Sequence, residues 1–359
     1  MNKEHFNGAI NWISSGELKE HYIADTKEKI SDEAAKNLKM LPIGTFVIAI
    51  YGLEADGVRG TGSITKSEST ISQACMAFTT KGKVQNEFLY SWYKKHGNII
   101  GIRYAQGTKQ QNLSYDIIEK FKIAYPAFQE QEKLNKFIAL LDERIAIQSK
   151  IIEELKKLKS ALIEKHYSQA EKQIVCVADL GEPFNVGNLA KDDLTETGKP
   201  CVIYGELFTT YGEIITQIES YTNKTDGVIL SKKGDLLFPS STTVDAMSLI
   251  APSVINVDGV ILGGDMFGIH ISPNFNAQYL SYYFNHIAKR QLAKYAKGST
   301  IIHLHYTDIE KAKLFLPSLE EQNRMAKCLV SLDDKIKGEN ALLDLLNNQK
   351  AYLLYQMFI

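Results

Sequence analysis

One pattern of apolar and polar positions occurs twice in this chain. Residues 129–167 and 320–358 match without a gap when 191 is added to each number of the first stretch, and neither contains proline. In both, apolar residues recur at spacings of four and three: Leu134, Ile138, Leu141, Ile145, Ile152 and Leu155 in the first, and Met325, Leu329, Leu332, Ile336, Leu343 and Leu346 in the second. This narrow heptad seam predicts two long helices, each of roughly 58 Å, that pack on each other.

The match extends upstream of each stretch. Residues 103–126 and 294–317 align at the same offset of 191, so that Gly107 corresponds to Gly298 and Pro126 to Pro317. Further upstream SSGEL only resembles YGEL, and PIGTFVIAIYG only resembles KKGDLLFPSS. The chain is therefore predicted to repeat a globular domain followed by a long helix. The expected segments are 1–125, 126–171, 172–316 and 317–359.

Local patterns predict mixed α/β structure inside the globular segments. We expect a short helix at 31–38 capped by Ser31, a buried strand within 41–52, a strand at 71–78, a helix at 86–95 and a strand at 121–125. The second globular segment opens with KQIVCVADLGEPFNVGNLAK, and nothing in the sequence corresponds to this stretch before residue 1. The first domain is thus expected to have lost an opening strand of about twenty residues.

Composition indicates an ordinary soluble protein of 359 residues, of which 44% are hydrophobic and 23% charged. The start has no signal-peptide pattern and no window reaches 18 apolar residues, so we expect a cytoplasmic protein without membrane spans. The cysteines lack CxxC spacing, and we expect reduced, buried thiols rather than metal ligands. They are Cys75, Cys176, Cys201 and Cys328.

The net charge of −1 gives no general signal for nucleic-acid binding. Residues 1–125 carry 16 Lys and Arg against 13 Asp and Glu, or +3, whereas residues 171–316 carry 12 against 16, or −4. Binding to a polyanion would have to use local patches, and a partner would have to supply further positive charge.

Catalytic motifs are missing from the sequence. It contains no GxxxxGK[ST], no GxGxxG that opens a helix, no HExxH and no GxSxG. His303 and His305 could ligate a metal from one strand, but their repeat partners Asn112 and Ser114 are not ligands, which favours a polar loop. The acidic pairs at 142–143 and 333–334 are expected to be solvated helix faces. These absences favour a binding or scaffolding role.

Basic and hydroxyl side chains lie near the two glycine loops, where each domain is expected to meet its helix. Such groups suit phosphate oxygens, although ordinary surface lysines are the alternative interpretation. The first set is Lys94, Lys95, Arg103, Tyr104, Thr108 and Lys109, and the second is Lys289, Arg290, Lys294, Tyr295, Lys297, Ser299 and Thr300. Tyr104 and Tyr295 are expected to pack rather than to stack on bases.

Two polar loops, expected at the far ends of the domains, differ between the halves. The first, 52–62, carries Arg59, and the second, 239–245, carries Ser240, Ser241, Thr242 and Thr243. Variable polar loops are where direct contacts to base edges in the major groove would belong, unless these are ordinary turns.

A proline, then Gln-Glu-Gln or Glu-Glu-Gln, then a long helix occurs twice, within NLSYDIIEKFKIAYPAFQEQEKLNKFIALLDERI and HYTDIEKAKLFLPSLEEQNRMAKCLVSLDDKI. With NWISSGEL near the start, this resembles the specificity subunit of type I restriction-modification systems over nearly the whole chain. The resemblance implies an α+β fold with two target recognition domains, separated by two long antiparallel coiled-coil helices and related by a pseudo-twofold axis. The chain departs from the family pattern at the start of the first domain, where a segment like VADLGEPFNVGN is expected. A mis-assigned start, a rearranged gene or a truncated chain would explain this difference.

The resemblance also implies a function. Residues 1–125 and 172–316 would each recognise one half of an asymmetric, bipartite double-stranded DNA site, and the helices would fix the spacer between the halves. The subunit would be non-catalytic and would bind no cofactor, since S-adenosylmethionine, ATP and Mg are expected on partner subunits. It would recruit two methyltransferase subunits and, for restriction, the translocase subunits. The alternative function is a structural coiled-coil adaptor with two protein-binding heads.

Two further expectations concern the helices. Gln148 and Glu339 are the midpoints of the two stretches and interrupt the seam, so we expect them to face each other and to fix the helix register. The outer faces, which include Arg144, Lys156, Lys157 and Lys335, are the expected docking surface for the methyltransferase subunits.

Overall fold

The computed structural model describes residues 3–358. The chain forms two compact units, Met1–Ser149 with Ala341–Ile359, and Lys150–Asn340. The division falls inside both long helices, so each unit contains one globular part and portions of both helices. The fold is α+β. The four-segment division at 125, 171 and 316 stays a prediction.

The first unit contains two small sheets, of order β3-β1-β6 and β2-β5-β4-β7. The strands are β1 (Ile10–Ile13), β2 (Tyr22–Ile23), β3 (Lys29–Ile30), β4 (Phe46–Ala49), β5 (Gly62–Thr65), β6 (Ser69–Ile71) and β7 (Cys75–Phe78). The helices are α1 (Asp32–Ala35), α2 (Asn86–Tyr104), α3 (Tyr115–Ile118) and α4 (Phe128–Gln169), with 3-10 turns at Lys3–Phe6 and Ser15–Glu17.

The second unit contains sheets of order β10-β13-β11-β18-β14, β12-β17-β15-β19-β9, β16-β20 and β21-β8. The strands are β8 (Gln173–Cys176), β9 (Gly181–Asn185), β10 (Leu194–Thr195), β11 (Lys199–Ile203), β12 (Ile214–Ile215), β13 (Ser220–Thr222), β14 (Ile229–Leu230), β15 (Asp235–Pro239), β16 (Ser241–Thr242), β17 (Ser253–Ile255), β18 (Ile261–Gly263), β19 (Met266–Ile271), β20 (Ile302–His303) and β21 (Lys313–Leu316). The helices are α5 (Glu206–Thr209), α6 (Ala246–Leu249), α7 (Ala277–Tyr283), a π-helical turn (Phe284–Ala288), α8 (Lys289–Leu292), α9 (Tyr306–Ile309) and α10 (Leu319–Met357). Its 3-10 turns are Val177–Leu180, Lys191–Asp193 and Ala293–Tyr295.

The two units share one sheet plan, although their sequences are only weakly alike there. Strand β4 pairs with β5 and β7 as β15 pairs with β17 and β19. Strand β1 lies parallel to β6 and antiparallel to β3, as β11 lies relative to β18 and β13. Corresponding central pairs are Phe46 opposite Ile64 and Phe78, and Leu236 opposite Val254 and Ile269. The weak upstream likeness in sequence therefore marks a true structural repeat.

The turn that follows β1 and β11 is also repeated. Glu17 accepts a hydrogen bond from the Ser14 backbone at 2.9 Å, and Glu206 accepts one from the Ile203 backbone at 2.9 Å. Each carboxylate closes its own three-residue turn as a capping box does. The SSGEL and YGEL motifs are thus the same local structure.

Several predicted elements differ in the structure. Helix α2 runs nine residues beyond the predicted end at 95, and α1 is shorter than 31–38, although Ser31 caps it as expected. The predicted strand at 71–78 is divided by a turn in which Cys75 N–H donates to the Ser72 carbonyl at 3.1 Å. Residues 121–125 are not a strand. Their counterpart β21 pairs with β8, and no strand of residues 3–358 takes that place in the first unit.

The heptad seam is present. Each of the twelve predicted seam positions is buried or half-buried. In the second unit Lys159 of α4 binds Asp333 of α10, whereas Ile163, further along α4, shares a core cluster with Met325, which lies earlier in α10. The two helices therefore run antiparallel there. In the first unit Ile138 of α4 shares a core cluster with Phe358, just beyond α10.

One buried glutamine in each unit joins the globular part to its long helix. Gln131 is fully buried; its amide donates to the carbonyls of Pro126 and Lys83 at 2.9 Å, and its oxygen accepts from Gln85 N–H at 2.9 Å. Gln85 is the residue before α2. We call this arrangement the glutamine latch.

The second unit repeats the latch at the same offset. Gln322 is 1% exposed, donates to the Pro317 carbonyl at 2.8 Å and accepts from Asn276 N–H at 3.0 Å. Asn276 is the residue before α7. The proline and the last glutamine of the Gln-Glu-Gln and Glu-Glu-Gln motifs thus have a structural reason.

The acidic pairs on the long helices are not plain solvated faces. Asp142 binds Lys350 in the first unit, and Asp333 binds Lys159 at 2.7 Å in the second. Both aspartates are half-buried, and adding 191 carries one ion pair onto the other. The solvated interpretation is therefore wrong for these two, because each aspartate is needed to neutralise a lysine on the facing helix.

Each ion pair belongs to a larger hydrogen-bonded network that includes a histidine. His21 lies 2.8 Å from Glu87 and 3.7 Å from Asp142. Burial acts to raise the pKa of Asp142, but hydrogen bonds from His21 and Lys350 outweigh it and lower the pKa below its usual value. In the second unit burial likewise acts to raise the pKa of Glu213, and His286 with Lys159 instead brings it to about 2.

The two residues predicted to fix the helix register lie in different units. Gln148 is 6% exposed, as expected for a seam position. The Glu339 carboxylate lies 2.5 Å from Lys335, one turn earlier on the same helix. Their mutual contact stays a prediction.

The cysteines depart in part from the expected burial. Cys75 and Cys201 are buried free thiols, Cys176 is half-buried and Cys328 is exposed. Cys328 lies on the outer face of α10, next to positions that are buried in the core. Within residues 3–358 no helix is long and apolar enough to cross a membrane.

The glycine loops have the same geometry in both units. Gly107 has φ +107° in a loop closed by a bridge between Gln106 and Asn112, and Gly298 has φ +112° in a loop closed by Lys297 and His303. A Cβ atom at either glycine would lie 2.0 or 2.1 Å from a backbone oxygen of its own loop. Only glycine fits these positions.

We predict that Gln131→Met and Gln322→Met each lower the free energy of unfolding by roughly 2–4 kcal/mol, because methionine keeps the volume but leaves buried backbone groups without partners. Urea unfolding of the full chain measures this. The control is Gln129→Met, two residues away at an exposed position, which should have little effect. Equal stability of the Gln131 and Gln129 variants would contradict the role of the latch.

We also predict that Gly298→Ala destabilises its loop by about 1–3 kcal/mol through backbone strain and steric overlap. Gly338→Ala is the matched control: it lies in α10 with open space around its Cβ position, and it should stabilise the helix by about 0.5–1 kcal/mol. Hydrogen exchange at 299–303 and thermal melting report the two effects. Unchanged exchange in the Gly298 variant would contradict the assigned strain.

Candidate nucleic-acid interface

In the second unit the buried central strand continues directly into the predicted polar loop. After β15, strand β16 pairs antiparallel with β20 of the glycine loop, and Leu304 N–H donates to the Ser240 carbonyl at 2.9 Å. The loop at 239–249 and the glycine loop at 297–304 therefore lie side by side. We call these two segments the second junction.

The first unit has the same arrangement. Tyr51 forms a bridge with Asn112, and Leu113 N–H donates to the Ile50 carbonyl at 2.8 Å. We call residues 50–62 and 106–113 the first junction. The expectation that the polar loops and the glycine loops lie at opposite ends of each domain is thus wrong. In each unit the chain continues beyond the buried central strand, β4 or β15. The glycine loop donates a backbone hydrogen bond to this continuation.

The second junction forms one wall of a cleft of about 730 Å³. Four of the predicted contact residues line it: Ser241, Thr242, Thr243 and Lys289. The structure therefore brings together residues that lie 46 or more positions apart in the sequence. The other lining residues are Tyr204, Gly205, Leu207, Phe208, Thr209, Val244, Ser248, Ala251, Asp265, Ile301 and His303.

The cleft combines hydroxyl groups with exposed apolar side chains. Thr243 is exposed, and Val244 beside it is 73% exposed. Lys289 is half-buried and is the cationic side chain on the wall, while Asp265 supplies a negative charge. Hydroxyls can both donate to and accept from base edges, methyl groups can contact the thymine methyl, and lysine can bind phosphate. This lining suits a groove of duplex DNA better than a small anion.

Two of the serines predicted to face DNA are structural. Ser240 is 4% exposed and Ser241 is 7% exposed. Their backbones carry the bonds to the glycine loop, so their side chains turn inwards. Thr242 is half-buried, and its hydroxyl accepts from Val244 N–H at 3.2 Å. Thr243 is the one of the four whose side chain is exposed.

The first junction is closed by Arg59. The Arg59 guanidinium donates to the Gln111 side chain at 2.7 Å, and its aliphatic part fills the space beside Gly101, where a Cβ would lie 2.5 Å away. The Glu54 carboxylate accepts from Gln111 N–H at 2.8 Å. Arg59 therefore fixes the 52–62 loop to the glycine loop, and its role as a DNA contact stays a prediction.

Lys95 is engaged with the last helix, whereas Lys94 contacts its own helix α2. Lys95 Nζ donates to the carbonyls of Tyr355 at 2.7 Å and Phe358 at 2.5 Å, so it satisfies acceptors at the C-terminal end of α10. Lys94 lies 5.9 Å from the centre of the Tyr90 ring, and burial together with the nearby Lys350 lowers its pKa. Lys95 thus serves the packing of α10, and the role of both lysines as phosphate contacts stays a prediction.

The remaining predicted residues lie on the surface around the junctions. Most are exposed: Arg103, Thr108 and Lys109 in the first unit, and Arg290, Lys294, Ser299 and Thr300 in the second. Lys297 lies 2.5 Å from Asp308, which holds the pKa of that carboxyl below its usual value. Tyr104 packs edge-on against Phe121 with ring centres 5.0 Å apart, as expected for a packing residue.

Sequence analysis missed the contribution of the YGEL turn. Tyr204, Phe208 and Thr209 come from this turn and from α5, and they form the second wall of the cleft. The YGEL motif could have indicated this turn, because a similar motif, SSGEL, occurs in the first half. Nothing in the sequence, however, placed the turn next to residues 241–243. His303, interpreted as part of a polar loop, lies in β20 and also lines the cleft.

Solved structures share this fold. The chain aligns over its full length, and over 91% of the other chain, with the crystal structure of a type I restriction-modification system S subunit from M. genitalium, at a TM-score of 0.61 and 15% identity. A structure described as the basis of complex assembly and conformational transition of the type I R-M system aligns over 97% of this chain and 90% of that chain, with a TM-score of 0.62 and 14% identity.

Sequence comparisons identify relatives in Methanocaldococcus jannaschii. The MjaVIII specificity subunit is 23% identical over 292 residues, which are 74% of this chain and 68% of the relative. The putative MjaX specificity subunit is 23% identical over 277 residues, which are 72% of this chain and 63% of the relative. The family model described as type I restriction modification DNA specificity domain matches residues 1–157 and 170–348. The chain therefore belongs to the family of type I restriction-modification DNA specificity proteins.

Proposed function

We propose that this chain recognises a bipartite, asymmetric site on double-stranded DNA, with one half-site read at each junction. The observation that carries the proposal is that the two units share strand registers, glutamine latches and glycine loops while their junctions differ. The first junction is held by Arg59 and Gln111, and the second opens into a hydroxyl-lined cleft. A constant frame with different contact surfaces suits two different half-sites.

The long helices would set the distance between the half-sites. Helix α4 runs without interruption for 42 residues, or about 63 Å. Helix α10 runs for 39 residues. Helix α4 contributes Ile138 to the core of the first unit and Ile163 to the core of the second, so a change in helix length would change the spacing of the recognised sequences.

The chemistry would be supplied by partners. The methyltransferase subunits would dock on the outer helix faces, where Arg144, Lys156, Lys157 and Lys335 are exposed, and the restriction and translocase subunits would join the full complex. S-adenosylmethionine, ATP and Mg would bind to those subunits. The chain would be a non-catalytic specificity subunit that works on cytoplasmic DNA. Its net charge of −1 supports weak DNA binding without the partners.

Methylation-site mapping in a host that expresses this chain with its partner subunits tests the proposal. We expect a bipartite motif with a constant spacer in the wild type. Within the complex, Thr243→Val should relax the sequence preference of one half-site, whereas Lys289→Ala should weaken binding for all sequences and reduce the salt dependence by about one phosphate contact. Lys232→Ala, at the opposite end of β15, is the control. A continuous motif, or equal effects of all three variants, would contradict the proposal.

A second prediction concerns the spacer. Deletion of residues 145–151 together with 336–342 removes one heptad at equivalent positions of both helices. Each heptad spans about 10.5 Å, so the spacer should shorten by about three base pairs while both half-sites stay the same. Deletion from one helix alone breaks the seam register and should abolish methylation. An unchanged spacer in the double deletion would refute the role of helix length.

A further inference from the structure

Exposed apolar side chains surround the cleft of the second junction. Val244 is 73% exposed, more than any other large apolar side chain among residues 3–358, and Ile301 is 49% exposed. Tyr204 and Phe208 are exposed as well, and all four line the same cleft. We call these four residues the apolar rim. Single exposed apolar residues are ordinary on a protein surface, but a group of them around one cleft marks an interaction site.

The loop that carries Val244 is held on both sides. Thr242 pairs with Ile302 of β20, and its hydroxyl accepts a hydrogen bond from Val244 N–H at 3.2 Å. On the other side the Asp245 carboxylate caps α6 and accepts from Ser248 N–H at 2.7 Å. Valine is β-branched, and its side chain has little rotational freedom. A contact made by Val244 would therefore lose little conformational entropy.

The other β-branched residue of the apolar rim comes from the glycine loop. Ile301 directly precedes β20. Its carbonyl oxygen lies 2.1 Å from where a Cβ atom of Gly298 would be, so its backbone is packed tightly within the loop. Val244 and Ile301 thus present methyl groups to one cleft from the two segments of the second junction.

A carboxylate in the cleft limits what can lie beside the apolar rim. Asp265 is exposed and lines the cleft, and its backbone carbonyl accepts from Ser240 N–H at 2.7 Å. A carboxylate repels phosphate, whereas it can accept a hydrogen bond from the amino group of a base. The charge at Asp265 and the methyl groups of the rim therefore both favour base edges over the DNA backbone, which Lys289 suits better.

We propose that Val244 and Ile301 contact thymine C5 methyl groups, so that the half-site at the second junction is recognised partly through the methyls of its A·T pairs. The inference rests on the proposed recognition of DNA and names the base-pair feature that this junction reads. The thymine methyl is an apolar group on a base edge in the major groove, and apolar side chains contact it. Thr243 and Asp265 supply hydrogen-bonding groups in the same cleft.

The first junction has polar residues at the corresponding positions. Gln110 corresponds to Ile301 at the offset of 191, and its carbonyl oxygen occupies the same place in its glycine loop. Ser15 and Lys19 of the SSGEL turn and the residue after it correspond to the two aromatic residues of the rim. Recognition at the first junction is therefore expected to depend less on thymine methyls than recognition at the second.

The test uses the chain assembled with its methyltransferase subunits and the duplex identified by methylation-site mapping. Two further duplexes carry deoxyuridine for every thymine of one half-site or of the other, because uracil pairs as thymine does but lacks the C5 methyl. Competition titration measures the Kd of each duplex. We expect one of the two substitutions to raise the Kd by about three- to tenfold, since burial of one methyl contributes roughly fourfold, and the other to have a smaller effect.

Substitutions of Val244 connect this effect to the apolar rim. Val244→Ala should weaken binding of the thymine duplex and remove the sensitivity to uracil at the affected half-site alone, as a double-mutant cycle requires for two groups in contact. Val244→Ile should keep the sensitivity, and Val244→Thr, which replaces one methyl by a hydroxyl, should reduce it. The matched control is Leu230→Ala, an apolar side chain of the same unit that is 50% exposed and lies outside the cleft. It should leave all Kd values unchanged.

The outcomes separate this inference from its alternatives. Equal Kd values of the thymine and uracil duplexes in the wild type would overturn it. An equal loss of affinity for both duplexes in Val244→Ala would do so too, because the contact would then be to sugars or base faces. If Val244→Ala instead disrupts assembly with the methyltransferase subunits and leaves the uracil sensitivity intact, the apolar rim is a protein interface and the inference is wrong.

Failure of the inference can be distinguished from failure of the proposed function. A continuous motif in the methylation map contradicts the proposed function before any uracil duplex is made. A bipartite motif that has no specified A·T pair, or whose binding is insensitive to uracil, contradicts the role of Val244 and Ile301 alone.

Discussion

The buried amide of the glutamine latch is the interaction on which the architecture of each unit depends. A primary amide is both a double donor and an acceptor, so one side chain can bond the segment just before its own helix and a segment distant in sequence. Gln131 joins the start of α4, the turn before α2 and the carbonyl of Pro126, and Gln322 does the same in the second unit. Because both glutamines are buried, a missing bond would cost more than in water, which favours one geometry.

This constraint allows the junctions to diverge. The latch lies at the N-terminal end of α2 and of its counterpart, while the glycine loop follows the C-terminal end, about 27 Å away along 18 residues. In the first unit α2 is continuous, whereas the counterpart is interrupted by a π-helical turn at Phe284–Ala288. Lys289 follows this turn directly and enters the cleft. A local change of helix register thus alters the contact surface without moving the latch.

The sequence was informative where one periodicity or one offset determines the structure. The seam of α4 and α10, the capping by Ser31 and the shared glycine loops follow from spacing and from the requirement for positive φ, and the structure contains all of them. The prediction of a strand at 121–125 was wrong because a strand needs a partner strand. A local sequence pattern cannot tell whether β8 has a counterpart in the first unit. The cleft could not be predicted, because β16 meets β20 through pairs of residues that lie 60 and 62 positions apart.

The contacts of the basic residues show why a count of Lys and Arg is a poor guide to the charge available at the surface. Lys95 binds carbonyl groups at the end of α10, Arg59 supports a loop, and Lys159 and Lys350 neutralise aspartates on facing helices. Such partly buried ion pairs contribute little net stability, yet removal of one partner leaves an unpaired charge, so they favour the register in which both are paired. These four cations are therefore engaged within the protein. The positive charge left on the surface is smaller than the Lys and Arg content suggests.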